Sequence, residues 1–401
     1  MTLLDELASA AAWEAFLERK RELGHLRADE ERALAEFVAA QGYLGPVGHL
    51  LDFPLPEKRL VNKIGSTKKR TVYSFPPAAT FTLKLLAHLL YRYDDRQPDG
   101  CYSFRRGITA HTAIRALVRT PGIDSMWCYK VDVRDYFNSI DVPRLLDVLG
   151  GVIDDDPPLL EFLTRLLTAD AAIVDGEVVH GPRGVMAGVP IAPFLANLYL
   201  GGLDRQFAGR QPYARYSDDI IVFSPTLEDA QGSQRAIADW LADAGLGVNP
   251  DKESLTGPGE PWEFLGVSYC AGQIDLSTAT RAKLKGKIRR KARALRRWML
   301  RRDAAPERAM AAMIRSFNRK FFDGRGRDEL NWSRWFFPLL TRDDSLREMD
   351  SYLQLYLRWI PTGRHRSANY RTSYAQLKTL GYRTLVNEYH RGMDESRGGT
   401  G

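Results

Sequence analysis

The chain has 401 residues, of which 44% are apolar and 27% charged, with a net charge of +7 and a pI near 9.2. This composition excludes a disordered chain and allows a large core divided into two or three lobes. Three distant cysteines without CxxC spacing argue against a disulfide framework or zinc site and fit a reducing compartment. The basic surplus favours a polyanionic partner only weakly, because many basic proteins have none.

The N-terminus shows apolar residues at helical spacing, at Leu4, Leu7, Trp13 and Phe16, without the basic start and long apolar run of a signal peptide. No stretch reaches the roughly 18 apolar residues that a membrane span needs. We therefore expect a helical extension over residues 1–57, and a protein that is soluble, cytoplasmic and not bound to a membrane.

Short basic strands follow at residues 58–75, on either side of a Gly-Ser-Thr turn. Alternating apolar and polar residues predict a strand at 128–137, after two helices near 80–95 and 108–119. The rest of the pattern predicts helices near 143–150, 158–168, 194–204 and 227–244, hairpins at 172–180 and around 217–218, and a strand pair near 262–275.

Two segments carry carboxylates suited to nucleotidyl transfer. The segment VDV sets Asp132 between apolar neighbours on a strand, and YSDD sets Asp218 and Asp219 at a tight turn between apolar strands. Two Mg²⁺ ions about 3.5–4 Å apart can stabilise the attacking and leaving oxygens of an in-line phosphoryl displacement. Taken alone, an aspartate pair in a hairpin turn is equally well explained as ordinary turn chemistry.

The order of the motifs resembles the reverse transcriptase family. KVDVRDYFNSID is similar to the family's first palm motif, GVPIAPFLANLYL to its template-and-primer loop, and ARYSDDIIVFS to its Y-x-D-D box. LGVNPDKESL and WEFLGVSY are similar to the two motifs that follow. The resemblance, within residues 58–270, implies an α+β, right-hand polymerase fold with fingers, a palm of antiparallel sheet and helices, and a helical thumb.

The same resemblance implies a division into subdomains. Fingers and palm would cover residues 58–275, a basic helical thumb 276–345, and a C-terminal helical extension with a flexible tail 346–401.

A basic run marks the expected thumb. Residues 281–302 hold twelve Lys or Arg and no acidic residue, whereas a solvated face normally mixes signs. We therefore expect contacts with nucleic-acid phosphates from Lys285, Arg289, Arg293 and Arg297. The aromatic residues over 317–337 are expected mainly to form a helical core, with stacking on RNA bases as the alternative.

The resemblance assigns the catalytic roles to Asp132, Asp218 and Asp219. They would hold two Mg²⁺ ions together with the backbone carbonyl of Val133, with Mn²⁺ as a substitute ion. Lys252 is the candidate general acid for the pyrophosphate leaving group, and an ordinary exposed lysine is the alternative.

Nucleotide-binding residues are implied in the same way. Tyr136 would lie beneath the incoming sugar, with the neighbouring Phe137 as the fallback and core packing as the alternative for both rings. Lys63 and Arg70 would clamp the triphosphate across the basic hairpin, because an Arg fork and a mobile Lys charge suit a polyphosphate. Lys69 would contact the template, and a solvated basic turn is the alternative.

Gly188 and Pro190 shape the loop that would approach the base pair, and Asn197 follows on the helix. The resemblance implies that Gly188 contacts the nucleotide and that Pro190 and Asn197 contact nucleic acid. Ala187 stands where many relatives carry glutamine, so the resemblance does not determine how tightly the template base is bound. The segment SFRRG resembles the family's fingers–palm junction. Its Arg105 and Arg106 would contact template phosphate, with a structural salt bridge as an equal alternative.

The compact build and the GVPIAP loop resemble bacterial retron and defence-associated, abortive-infection-like reverse transcriptases. The implied function is the copying of an associated non-coding RNA into DNA from dNTPs, in antiphage defence. Two alternatives stay open, which are a template-independent DNA polymerase and an RNA-binding scaffold without catalysis. The sequence leaves the oligomeric state open.

Overall fold

The computed structural model describes residues 2–23, 26–48, 50–62, 69–181, 184–323 and 331–398. The chain divides into two compact units between Glu260 and Pro261. Sheets with mainly antiparallel pairing and separate helices confirm the α+β class. The subdomain boundaries expected after residues 57, 275 and 345 stay predictions.

Up to residue 260 the elements are, in chain order, α1 (Leu3–Leu7), α2 (Ala10–Leu23), α3 (Ala28–Ala39), α4 (Leu44–Gly48), β1 (Glu57–Asn62), β2 (Lys69–Ser74), α5 (Pro77–Leu89), α6 (Ala110–Val118), β3 (Trp127–Asp132), α7 (Tyr136–Ser139), α8 (Val142–Val152), α9 (Pro157–Thr168), β4 (Ala171–Val174), β5 (Glu177–His180), α10 (Ala192–Tyr199), α11 (Gly201–Phe207), β6 (Tyr213–Tyr216), β7 (Asp219–Ser224), α12 (Leu227–Asp243) and β8 (Ser254–Thr256). From Pro261 on they are β9 (Trp262–Phe264), β10 (Val267–Cys270), β11 (Gln273–Leu276), α13 (Thr278–Arg301), α14 (Pro306–Phe321), α15 (Trp332–Phe336), α16 (Asp344–Thr362), α17 (Tyr374–Thr379) and α18 (Leu385–Gly398).

The N-terminal helices form because their apolar residues share one face. Thr2 begins α1 with a capping box, in which the Asp5 amide donates to Thr2 Oγ1 at 3.1 Å and the Thr2 amide donates to the Asp5 carboxylate. In α2 the buried ring of Trp13 stacks on Tyr43, with the ring centroids 5.3 Å apart. The helical N-terminus expected from the sequence is confirmed.

The basic hairpin and the later hairpin join one four-stranded sheet, in the order β2-β1-β4-β5. The strands β1 and β2 pair antiparallel on either side of residues 63–68, with Val61 opposite Arg70. Two stretches far apart in the sequence thus form one platform next to the loop before α10.

The central sheet has the order β6-β7-β3-β8, and its inner strands are buried along their apolar residues. All neighbours in this sheet are antiparallel. The strand predicted to reach residue 137 ends at Asp132 instead. Asp135 there has a left-handed φ of +47°, and Tyr136 begins the short helix α7.

In the second unit the long helix α13 packs against α14 and α16. One narrow stripe of α13 is buried, at Leu284, Ile288, Ala292 and Met299. The remaining faces of this basic helix are therefore exposed or half-buried. No helix in the described part of the chain combines the length and apolar character needed to cross a membrane.

Candidate active site

The candidate site lies where two neighbouring antiparallel strands of the central sheet meet. Asp132 is the last residue of β3 and pairs in register with Asp219, the first residue of β7. Asp218 precedes β7 in the turn, and its carbonyl accepts a hydrogen bond of 3.0 Å from the amide of Val133. The strand register therefore brings together the three aspartates that the sequence singled out.

The turn between β6 and β7 is stabilised by a hydrogen bond to the loop that carries Ser103. Ser217 has φ +62°, the left-handed conformation that tight hairpin turns use. Its amide donates a hydrogen bond of 2.8 Å to Ser103 Oγ, and its side chain is buried. The backbone of Asp218 is thus fixed by a contact from a distant loop that the sequence pattern did not reveal.

Asp132 is 4% exposed and is contacted from the segment before β8. Asn249 Nδ2 donates to Asp132 Oδ1 at 3.1 Å, and Lys252 Nζ forms an ion pair with Oδ2. The Asn249 amide also donates to the Asp132 carbonyl at 2.8 Å. Lys252, expected as a general acid, therefore lies in the carboxylate cluster.

Burial and mutual repulsion determine the charge states of the cluster. Burial, and then the neighbouring Asp132, raise the pKa of Asp218 to about 6. Burial likewise raises the pKa of Asp219, opposed by Lys130, whose Nζ lies 3.6 Å from Asp219 Oδ1. Burial lowers the pKa of Lys252, but its bond to Asp132 and the aspartate charges together raise it above its ordinary value. Such crowded carboxylates would be stabilised by bound cations.

The residues fit an oxygen-ligated divalent cation. Asp219 Oδ1 is buried and accepts no hydrogen bond from the described residues. The donor set consists of carboxylate and backbone oxygens, which Mg²⁺ prefers. As the side chains stand, no group of three or more His, Cys, Asp or Glu among the described residues could hold a metal ion. A cation on Asp132 would compete with Lys252 for the same oxygen.

A fully buried ion pair lies beneath the turn. Arg215 Nε and Nη2 donate to the two oxygens of Asp204, at 2.7 and 2.5 Å. Tyr213 donates to the same carboxylate at 2.8 Å, and Arg215 Nη1 donates to the Ser217 carbonyl at 3.2 Å. No pattern in the sequence predicts this pair. Only the arginine directly before the YSDD segment could have suggested it.

Asn197 belongs to the same buried network and is 1% exposed. Its Nδ2 donates to the Ser103 carbonyl at 2.6 Å and to Gln97 at 3.1 Å, and its Oδ1 accepts from the Ser103 hydroxyl at 2.8 Å. The expectation that Asn197 contacts nucleic acid is therefore corrected, because every polar atom of its side chain is engaged inside the protein.

Tyr136 and Phe137 differ in exposure. Tyr136 is 2% exposed, its hydroxyl donates to the Ala196 carbonyl, and burial raises its pKa well above the ordinary value. The expected contact of Tyr136 with the sugar is therefore corrected in favour of core packing. Phe137 is only half-buried, with its ring centroid 5.6 Å from that of Tyr136, and it is the ring that can face a substrate.

The loop before α10 approaches β2 closely. Gly188 has φ +100°, and a Cβ at this position would lie 3.1 Å from the carbonyl of Tyr73. The amide of Tyr73 donates to the Ala187 carbonyl at 2.8 Å. Glycine is thus required by the neighbouring strand, and a close approach to a base pair stays a prediction. Pro190 is half-buried in the same loop.

The basic hairpin presents two of its expected residues to solvent. Lys69 and Arg70 are exposed at the start of β2, opposite Asn62 and Val61. Lys63 lies outside the described residues. The triphosphate clamp therefore stays a prediction.

The two arginines of the SFRRG segment differ. The guanidinium of Arg105 donates to the carbonyls of Pro98 and Cys101 at 3.3 Å and of Asp94 at 3.1 Å. Arg105 therefore fastens the loop before it through backbone carbonyls, in place of the expected phosphate contact or salt bridge. Arg106 is exposed and remains available for phosphate.

On α13 the expected phosphate contacts divide into two groups. Lys285 forms an ion pair with Glu348 of α16, which also accepts a bond of 3.0 Å from Arg281. The expected phosphate contact of Lys285 is therefore corrected, because its ammonium is already paired with a carboxylate of the same unit. Arg289, Arg293 and Arg297 are exposed at four-residue spacing and form no ion pair with other described residues.

The sheet β6-β7-β3-β8, with carboxylates at the adjoining ends of β3 and β7, has the arrangement of the palm in a right-hand polymerase fold. A sequence model of the family described as reverse transcriptase (RNA-dependent DNA polymerase) matches residues 66–269, just over half of the chain. The matched region contains the hairpin strand β2, the loop before α10, the aspartate cluster and Lys252. The chain belongs to the reverse transcriptase family.

The individual proteins that this chain resembles share little sequence identity with it. The retron Mx65 reverse transcriptase of Myxococcus xanthus is 26% identical over 175 residues, which is 41% of this chain and 40% of that protein. The apo telomerase of Candida tropicalis superposes with a TM-score of 0.47 and 12% identity, over 81% of this chain and 59% of that one. The telomerase of Candida albicans with a telomeric RNA fragment gives 0.43 and 11%, over 83% and 62%. The chain thus spans less than half of the curated relative's length.

Proposed function

We propose that this protein is an RNA-directed DNA polymerase that joins dNTPs by two-metal nucleotidyl transfer. The observation that carries the proposal is the convergence of Asp132, Asp218 and Asp219 at one end of a buried antiparallel sheet. Family membership supplies the chemistry. Burial, and then the neighbouring Asp132, raise the pKa of Asp218, so a bound cation would stabilise its charged form.

The three aspartates and the carbonyl of Val133 would hold two Mg²⁺ ions, with Mn²⁺ as a substitute. Two such ions stabilise the charge that develops on the attacking and leaving oxygens. The protein's part is to keep the carboxylates fixed. The hydrogen bond from Asn249 fixes Asp132, and the hydrogen bond to Ser103 fixes the turn that carries Asp218. Fixed ligands reduce the reorganisation needed when substrate binds.

Lys252 would donate the proton that the departing pyrophosphate takes up. Its ammonium lies in the cluster, and its raised pKa keeps it protonated at neutral pH. The contact with Asp132 keeps the ammonium of Lys252 beside the carboxylates that would hold the ions. A positioned acid of this kind contributes roughly 10²–10⁴-fold to a rate.

The nucleotide and template contacts are proposed from accessible residues. Phe137 would face the sugar, and Arg70 with Lys63 would hold the triphosphate. Arg106 and Lys69 would contact template phosphate. Lys69, Arg70 and Arg106 are exposed and Phe137 is half-buried. Lys63 lies outside the described residues.

The biological substrate we propose is an associated non-coding RNA, copied into a DNA product. This part is supported by the similarity to a retron reverse transcriptase and by the motif pattern. A role in bacterial antiphage defence follows from the same resemblance. Retention of that activity by an inactive Asp218→Ala variant would favour the alternative of an RNA-binding scaffold.

The test is a polymerisation assay with purified protein, Mg²⁺, labelled dNTPs and RNAs of defined sequence. We expect DNA complementary to the added RNA, and no product from Asp218→Ala. Asp239→Ala is the matched control, because Asp239 is an exposed aspartate on α12 away from the cluster. Product whose sequence ignores the RNA would support a template-independent polymerase, and product from Asp218→Ala would refute the metal-site assignment.

A further inference from the structure

A cleft in the second unit combines aromatic rings with ammonium groups. It lies between α13, α14 and α15 and has a volume of about 420 Å³. We call it the lysine–tryptophan cleft, and the lining residues that matter here are Lys283, Lys287, Lys320, Trp332, Trp335 and Phe336. It is separate from the aspartate cluster, which belongs to the first unit.

The aromatic wall of the cleft is fixed by packing. Phe336 is buried, and the ring centroid of Trp332 lies 4.8 Å from that of Phe336 and 5.4 Å from that of Phe321. Trp332 and Trp335 themselves are only half-buried. Their rings are therefore held in place and still reach the cleft, which is what a stacking platform needs.

The cationic wall carries uncompensated charge. Burial, and then the adjacent Lys287, lower the pKa of Lys320 to about 8. Within the described residues none of the three lysines forms a salt bridge, whereas Lys285 on the same helix is paired with Glu348. Ammonium groups crowded in this way would be stabilised by an anion in the cleft.

We propose that the lysine–tryptophan cleft binds an unpaired nucleotide of single-stranded nucleic acid, with the base on the tryptophan rings and the phosphates on the lysines. Aromatic rings beside cations suit a single strand, because its base faces are accessible for stacking. A duplex hides those faces and offers only phosphates. The inference rests on the proposed function only in that a polymerase must hold template and product strands.

The cleft is distinct from the arginine stripe on the same helix. Lys283 and Lys287 are four residues apart and share one face of α13. Arg289 lies six residues after Lys283, which is about 240° around the helix. It begins the exposed stripe that continues through Arg293. Arg297 comes back to within about 40° of Lys283, but it lies about 15 Å further along the helix axis than Lys287. The two sets can therefore bind different strands, duplex on one face and single strand on the other.

The test measures binding of labelled oligonucleotides of about six nucleotides, a length within the range of single-strand sites. It uses the full chain in EDTA, so that the result does not depend on polymerase activity. Oligo-rA and oligo-dA are compared in wild type, in Lys287→Ala/Lys320→Ala and in Trp332→Phe. The matched control is Arg315→Ala/Arg319→Ala, which removes the same charge from exposed positions of α14 outside the cleft.

We expect binding at least about tenfold weaker in the lysine variant and several-fold weaker in Trp332→Phe, with the control near wild type. Tighter binding of RNA or of DNA identifies template or product as the source of the strand, and either supports the proposal. Equal loss in the control would overturn it in favour of diffuse attraction. Equal competition by polyglutamate or by blunt duplex would also overturn it, in favour of an acidic peptide or of helical nucleic acid.

Discussion

The guanidinium of Arg215 binds the carboxylate of Asp204 through two hydrogen bonds, and neither side chain has any exposed surface. The same guanidinium donates to the carbonyl of Ser217, in the turn that carries Asp218. Burying two charges costs several kcal/mol for each ion, and the cost is offset only when both are paired and hydrogen-bonded. The position of the turn that carries Asp218 therefore depends on an ion pair that has no contact with solvent.

Asp204→Ala should destabilise the protein by about 3–5 kcal/mol, because it leaves the Arg215 charge buried without its partner. Urea denaturation of the purified variant measures the loss. The control is Glu22→Ala, which removes an exposed ion pair with Arg19 and should cost less than about 1 kcal/mol. The double change Arg215→Met with Asp204→Leu should recover part of the loss. Similar small losses for both single variants would contradict the role of the pair.

Asp218→Asn should stabilise the metal-free protein at neutral pH. In the folded chain burial and Asp132 raise the pKa of Asp218 to about 6, above its value in the unfolded chain. Below about pH 4 the carboxyl is protonated in both states and costs nothing. As the pH rises towards about 6 and beyond, the folded state is penalised for carrying the charge, by up to about 3 kcal/mol.

Thermal melting in EDTA at several pH values measures this effect. The stabilisation by Asp218→Asn should be present at pH 7, shrink towards pH 4, and disappear when Mg²⁺ is added to the wild type. Asp239→Asn, on the exposed surface of α12, serves as the control and should show no such dependence. A pH-independent gain in melting temperature would show that the gain does not come from the charge.

The aspartate cluster could be predicted because its members lie in short segments whose pattern fixes their local structure. Alternating apolar and polar residues indicate β3, a continuous apolar run indicates β7, and the YSDD segment indicates the turn before it. Two antiparallel strands that end with carboxylates need only pair in register to bring Asp132 beside Asp219. The order of the motifs implies only that the three aspartates share one site, and the pairing of β3 with β7 is seen in the structure.

The sequence could not show which polar residues would be buried. The apolar pattern around Asn197 predicts a helix but does not show that this side chain is buried. Its burial depends on the distant loop that carries Ser103. Tyr136 and Phe137 are adjacent rings, and only packing against α10 decides which one faces inward. Arg289 lies one turn after Lys285 on the same face of α13, and they differ because Glu348 of α16 forms its ion pair with Lys285. Each distinction comes from residues far away in the chain.

Lys252→Arg should reduce the rate of nucleotide addition by roughly 10²–10⁴-fold. Arginine keeps a positive charge beside Asp132, but its proton is held too tightly to be donated to the leaving pyrophosphate. Single-turnover measurements at saturating dNTP isolate the chemical step. Lys252→Met removes the charge as well and should be at least as slow. Near wild-type rates for Lys252→Arg with a slow Lys252→Met would show that the lysine acts only through its charge.

Removing Arg289, Arg293 and Arg297 together should weaken duplex binding and flatten its salt dependence. Each phosphate contact that is lost should reduce the slope of log affinity against log salt by about 0.9 for a B-form duplex. Fluorescence titrations of a labelled duplex at several salt concentrations give the slope. Lys285→Ala is the matched control, because this lysine on the same helix is already paired with Glu348 and should leave the slope nearly unchanged. An equal change in slope for Lys285→Ala would mean that α13 attracts the duplex through its total charge and not through this exposed stripe.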